Sequence, residues 1–174
     1  MNEPYTLYDR GQCYDASTDN PDSTFSAAQF VRAWQHVRAI FAQKNVTNVL
    51  WVWTPAVGGA DPEPYYPGDS QVDWIGTDAY DPAGAGFASV FASTYASLAR
   101  HNKPILAVTG EPAASQAAFF PGIVPALSGQ FPLVKGFIYY DGVSAAGDWR
   151  LASGGGAAYT AFANDPYMSA QVSF

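Results

Sequence analysis

The sequence predicts an α/β fold in which parallel strands alternate with helices, and three observations point to it. Apolar residues recur at helical spacing in one stretch and form a short continuous run in the next, and this cycle repeats four times. The loops after the runs are long and rich in Gly, Pro and Asp, as on the side of a parallel sheet where ligands bind. Apolar residues make up 48% of the 174 and charged residues 13%, which is enough apolar surface for one core.

The elements follow in order. The first twenty-four residues are polar and turn-rich, and Asn20-Pro21-Asp22-Ser23-Thr24 leads towards a helix start. From Ala27 to Gln43, Phe30, Trp34, Val37 and Phe41 line one helical face. Val49-Leu50-Trp51-Val52-Trp53 is a continuous apolar run stopped by Pro55, which reads as a buried strand over residues 48–53. Residues 72–78 and 104–108 read as the second and third strands, with a helix from Phe87 to Arg100 between them. A shorter helix, interrupted by Pro121 and Pro125, precedes a fourth strand near 135–140, and a last helix runs from about Gly156 to Asn164. At 174 residues the chain falls short of the roughly 250 that a closed eight-unit β/α barrel needs, so the pattern is that of half a barrel.

Composition narrows the function. Eight Lys and Arg against fifteen Asp and Glu give a net charge of -7 with no basic run, which argues against nucleic acid. No apolar run approaches the 18 or more residues of a membrane span, and Met1-Asn2-Glu3-Pro4 does not open like a signal peptide. A lone Cys13 and two histidines offer no disulfide and no zinc-type cluster, so no metal and no cofactor is expected. Aromatic residues reach 16%, a level that fits either a ring-rich core or a cleft that stacks on sugar rings.

One block carries more information than the rest. Tyr65-Tyr66-Pro67-Gly68-Asp69-Ser70-Gln71-Val72-Asp73-Trp74-Ile75-Gly76-Thr77-Asp78-Ala79-Tyr80 resembles the C-terminal half of glycoside hydrolase family 26, the β-mannanase family of clan A. The resemblance extends to Ala33-Trp34-Gln35-His36-Val37, to the run from Asn48 to Pro55, to Lys103-Pro104-Ile105 and to Asp148-Trp149-Arg150. It implies a (β/α)8 TIM-type barrel of which residues 1–174 form a single partial domain, strands five to eight. It also implies hydrolysis of β-linked glycans with retention by two glutamates at the ends of the fourth and seventh strands.

On that resemblance the catalytic residues of this chain are Glu3 and Glu111, and each has an alternative. Asn2-Glu3-Pro4 fits the Asn-Glu-Pro acid/base motif of related families. Met1-Asn2 equally fits the end of His-Glu-Met-Asn, which puts the glutamate before Met1. Counting without gaps from Lys103-Pro104, the nucleophile position falls on Thr109, and Glu111 lies two residues on, reachable through a bulge at Gly110 or else an acidic first helical turn. Tyr80 matches the tyrosine close to the nucleophile, and Asp78 shares its strand face as a ligand contact or a buried structural carboxylate. Trp53 and Trp149 are the candidate stacking platforms for substrate, and Trp51 and Trp74 are assigned to the core.

The expected function is a retaining glycoside hydrolase of endo-β-1,4-mannanase type, acting on a β-linked polysaccharide or oligosaccharide. The alternative is a non-catalytic carbohydrate-binding or structural relative without the glutamate pair. The resemblance puts the parent protein outside the cell, as a secreted enzyme. Open sheet edges predict self-association or pairing with the missing N-terminal half.

Overall fold

The computed structural model describes residues 27–55, 61–81, 83–144 and 147–168. The chain divides into two compact units, Met1–Asp78 and Ala79–Phe174.

In the first unit, helix α1 (Ala27–Gln43) is followed by strands β1 (Val52–Trp53) and β2 (Trp74–Asp78), which pair in parallel with Val52 opposite Trp74. Two short 3-10 turns, Glu63–Tyr65 and Asp69–Gln71, lie between the strands. Phe30 and Trp34 are the buried residues of α1, and the Trp34 indole Nε1 donates to the Gln71 carbonyl at 3.0 Å. Half-buried Trp51 gathers the edges of Trp34 and Phe41 at 5.8 and 5.1 Å, and the Arg38 guanidinium lies 5.5 Å from its ring centroid.

The first strand is shorter than the apolar run suggests, and Val49 and Leu50 are exposed. Asp73 is the cause. Its carboxylate accepts from the Trp51 amide at 2.8 Å, and its own amide donates to the Trp51 carbonyl at 2.9 Å. Pairing begins only after that knot, so Val49 and Leu50 precede it. Val37 likewise is exposed rather than inward, while Arg38, one position on, donates to Gln71 and reaches Asp73.

In the second unit, residues 79–81 run beside strand β3 (Ile105–Thr109), with the Ala79 amide bonded to Val108 and the Asp81 amide to Gly110. Helix α2 (Phe87–Leu98) and the 3-10 turn Ala99–His101 come before β3. Helix α3 (Gln116–Gly129) follows it and leads to strand β4 (Val134–Tyr139), which pairs in parallel with β3. A small antiparallel hairpin, β5 (Val143–Ser144) and β6 (Gly147–Asp148), precedes helix α4 (Ser153–Ala163). Phe87, Phe91, Phe119, Phe120, Phe131 and Phe162 form the buried aromatic core between these helices and β4. The described order of β/α units is that of half a (β/α)8 barrel.

Helix α3 is continuous through Pro121 and Pro125, where the sequence suggests an interruption. Both prolines and Ala117 lie on the exposed face, four residues apart. The carbonyls that lose an amide partner, those of Ala117 and Pro121, therefore belong to the water side.

Candidate active site

The chemistry-bearing residues of the second unit lie at the carboxyl ends of β3 and β4, and the two faces of this sheet differ. Phe137 packs on Phe87 at 5.8 Å and Phe162 at 5.0 Å, and Tyr139 packs on Phe120 at 5.2 Å and Tyr159 at 5.9 Å, so these positions face the helices. Thr109 is paired with Tyr139 and shares that covered face. It is buried, and its hydroxyl donates to the Ala79 carbonyl at 2.5 Å. The opposite face carries Ile138 and Tyr140, which are 46% and 38% exposed.

Gly110 closes the end of β3 beneath a cluster of rings. Tyr80 lies 5.2 Å from Trp149 and 6.1 Å from Tyr140. A Cβ on Gly110 would stand 2.8 Å from a Tyr80 ring carbon and 3.1 Å from Trp149, so only glycine permits these rings to close over the strand end. Trp149 donates from its indole to Ser144 at 3.1 Å, which ties the hairpin to the cluster.

Glu111 follows directly and is held from both sides. Its carbonyl accepts from Gln116 Nε2 at 2.9 Å, and its amide donates to the Tyr139 hydroxyl at 3.3 Å. Its side chain, in a residue 1% exposed, has an Oε2 with no hydrogen-bond partner. Burial pushes this carboxyl up to about 7; the Ser115 hydroxyl pulls it down and the Asp81 carboxylate adds to the rise. Asp81 is itself fully buried, and its two oxygens accept from the amides of Ala85 at 2.9 Å and Gly86 at 2.5 Å, just ahead of α2. At the rim, Arg150 grips Asp148 with two bonds of 2.9 and 2.6 Å, which holds the exposed Asp148 carboxyl down at about 2.

The residues singled out from the sequence are placed as follows. Glu3 lies outside the described residues. Tyr80 and Trp149 come together over Gly110, the Glu111 carboxyl of the next residue lies toward Ser115 and Asp81, and Thr109 is turned to the helices. In the first unit Trp53 is fully buried, with its ring 4.9 Å from Tyr66, and Asp78 ends β2 half-buried. Trp149 is only 2% exposed, so its ring, like that of Trp53, packs in the interior instead of presenting the sugar-stacking face expected from the sequence. Asp81, Gln116 and Tyr139 escaped the sequence reading. A polar Gln opening an apolar helix marks Gln116 in the sequence and an Asp before Pro and two glycines marks Asp81, whereas Tyr139 carries no local signal. Among the described residues no three or more His, Cys, Asp or Glu gather as a metal site, and no helix is long and apolar enough to cross a membrane.

Residues 23–141 match the family model described as Glycosyl hydrolase family 26. Endoglucanase H of Acetivibrio thermocellus is 34% identical over 89 residues, covering 44% of this chain and 10% of that protein. A GH26 β-mannanase from Bacteroides ovatus superposes with a TM-score of 0.66 at 21% identity, over 83% of this chain and 45% of that one. A mannanase from Bacillus subtilis gives a TM-score of 0.56 at 20% identity, over 80% of this chain and 38% of that one. The chain thus spans less than half the length of these similar proteins.

Proposed function

The chain belongs to glycosyl hydrolase family 26, and from that premise we propose that it works as a retaining glycoside hydrolase on β-linked glycans, of the endo-β-1,4-mannanase kind. The two superposed structures are both of mannanases, which supports the substrate class. The observation that carries the reading is Glu111, a buried carboxyl with an unpartnered oxygen at the carboxyl end of β3, one residue after the Gly110 over which the aromatic rings close.

The retaining reaction needs two carboxyl groups about 5–5.5 Å apart. In this reading Glu111 attacks the anomeric carbon and Glu3 protonates the leaving oxygen, then draws the proton from the incoming water. Tyr80 contacts the sugar, and the buried Trp149 ring packs behind it. A nucleophile must be ionised, and with its carboxyl raised to about 7 Glu111 gains that form as pH rises through neutrality. Turnover should increase across the same interval. A polysaccharide substrate puts this work outside the cell, and secretion is part of the proposal. So is association, either with a second copy or with the strands that complete the barrel.

A second reading, a glycan-binding relative without hydrolysis, is favoured by the near-complete burial of Glu111 and by Thr109 facing the helices. A fluorosugar inhibitor separates the two. The first reading expects a bond between a Glu111 oxygen and the anomeric carbon with loss of fluoride, seen by mass spectrometry and absent from Glu111→Gln. Glycan binding with no adduct would establish the second.

A further inference from the structure

Gln116 has more polar partners than any single structural duty requires. It is fully buried as the first residue of α3, among apolar neighbours where an unpaired amide would be costly. Its Nε2 donates to three oxygens: the Glu111 carbonyl at 2.9 Å, the Arg150 carbonyl at 3.0 Å and the Tyr139 hydroxyl at 3.1 Å. Its Oε1 accepts from the Ala152 amide at 3.0 Å. Two hydrogens serve three acceptors, so one is shared.

These bonds join three segments: the loop after β3, the end of β4, and the entry to α4. Tyr139 extends the junction. Its hydroxyl proton has two acceptors, the Glu111 carbonyl at 3.0 Å and the Trp149 carbonyl at 2.8 Å. Since Gln116 already serves the first, the proton satisfies most groups by going to Trp149. The backbone of Glu111 and the backbone of Trp149 are then fixed to one another by two side chains.

We propose that Gln116 is a positioning residue, which acts through the Glu111 backbone and through Tyr139 to hold the Glu111 carboxyl and the Trp149 ring in one fixed arrangement. It rests on the proposed role of Glu111 but concerns its placement, which can be read without catalysis. A Gln116 held this way needs a glycine opposite, and Gly155 supplies it: a Cβ there would collide with the Gln116 side chain.

The test uses the whole chain labelled with carbon-13 at the glutamate carboxyls, which gives only the signals of Glu3, Glu63 and Glu111. Gln116→Met keeps the length of the side chain and removes every bond. The expected result is a Glu111 titration midpoint that falls from about 7 towards the ordinary value near 4.5, because the freed loop lets water reach the carboxyl. Tyr139→Phe keeps the ring packing, serves if Gln116→Met does not fold, and should move the midpoint in the same direction. An unmoved midpoint in folded Gln116→Met, or in Tyr139→Phe if the former does not fold, would overturn the proposal. Failure of the wild-type chain to form the fluorosugar adduct would instead overturn the hydrolase reading and leave the titration result standing.

Discussion

The Tyr139 hydroxyl lies 2.8 Å from the Trp149 carbonyl oxygen, which makes the last residue of β4 the anchor of the segment that returns after the hairpin. The Trp149 ring, pinned this way and closed in by Tyr80, is a structural member of the site. Trp149→Ala should therefore cost about 3–5 kcal/mol of stability, in the range of large buried rings replaced by alanine. Urea unfolding of the variant measures it. A loss below about 1 kcal/mol would show that the ring is not packed as described.

Gly155 reverses an ordinary rule. Alanine in a helix is usually more stable than glycine by roughly 1 kcal/mol. At this position the added methyl would meet both the amide and the Cβ of Gln116, a side chain held by four bonds. Gly155→Ala should destabilise by about 1–3 kcal/mol, as overpacking does. Gly156, with open space around its position, is the internal control and should tolerate alanine.

The pH dependence of stability follows from Glu111. Its carboxyl holds a proton more tightly in the folded chain than in the unfolded one, so its contribution is complete below about pH 4.5 and is lost as pH rises through about 7. The wild-type urea midpoint should decline across that interval, and Glu111→Gln, which cannot ionise, should decline less. Equal slopes would place the sensitivity elsewhere. The ionised form that the proposed hydrolysis requires is thus the form the fold least favours.

Assembly is the fourth expectation. Ile138 and Tyr140 expose apolar surface on the uncovered face of β4, and such faces seek a partner. The chain alone should show a solution mass above its 18.6 kDa and bind an apolar dye. Adding the upstream half of a family barrel should convert it to a one-to-one complex and quench the dye. A stable monomer with full activity against β-mannan would defeat this expectation.

The order of elements in the second unit was legible because its apolar spacing is dictated by what the helices bury: Phe87, Phe91 and Leu98 on α2 stand at helical intervals and are all buried. Glu111 was legible only through its distance from Lys103-Pro104. Its surroundings were not, because Asp81, Gln116 and Tyr139 reach it from separate segments, and no local spacing records that. The first strand was overread for a similar reason. An apolar run reports hydrophobicity, whereas the extent of pairing there was decided by Asp73, twenty-two positions from the Trp51 amide it captures.

The two prolines of α3 bear on when the site comes into being. A proline in a helix interior costs about 3 kcal/mol, and α3 has two, so the isolated segment does not nucleate a helix in the unfolded chain. It becomes helical only as Phe119, Phe120, Ile123, Ala126 and Leu127 dock against the rest of the unit. Gln116, at its first turn, then meets Glu111 and Ala152 in the same event. The Glu111 arrangement thus depends on the docking of α3, and mutations that loosen that docking face should destabilise it even though they touch none of its atoms.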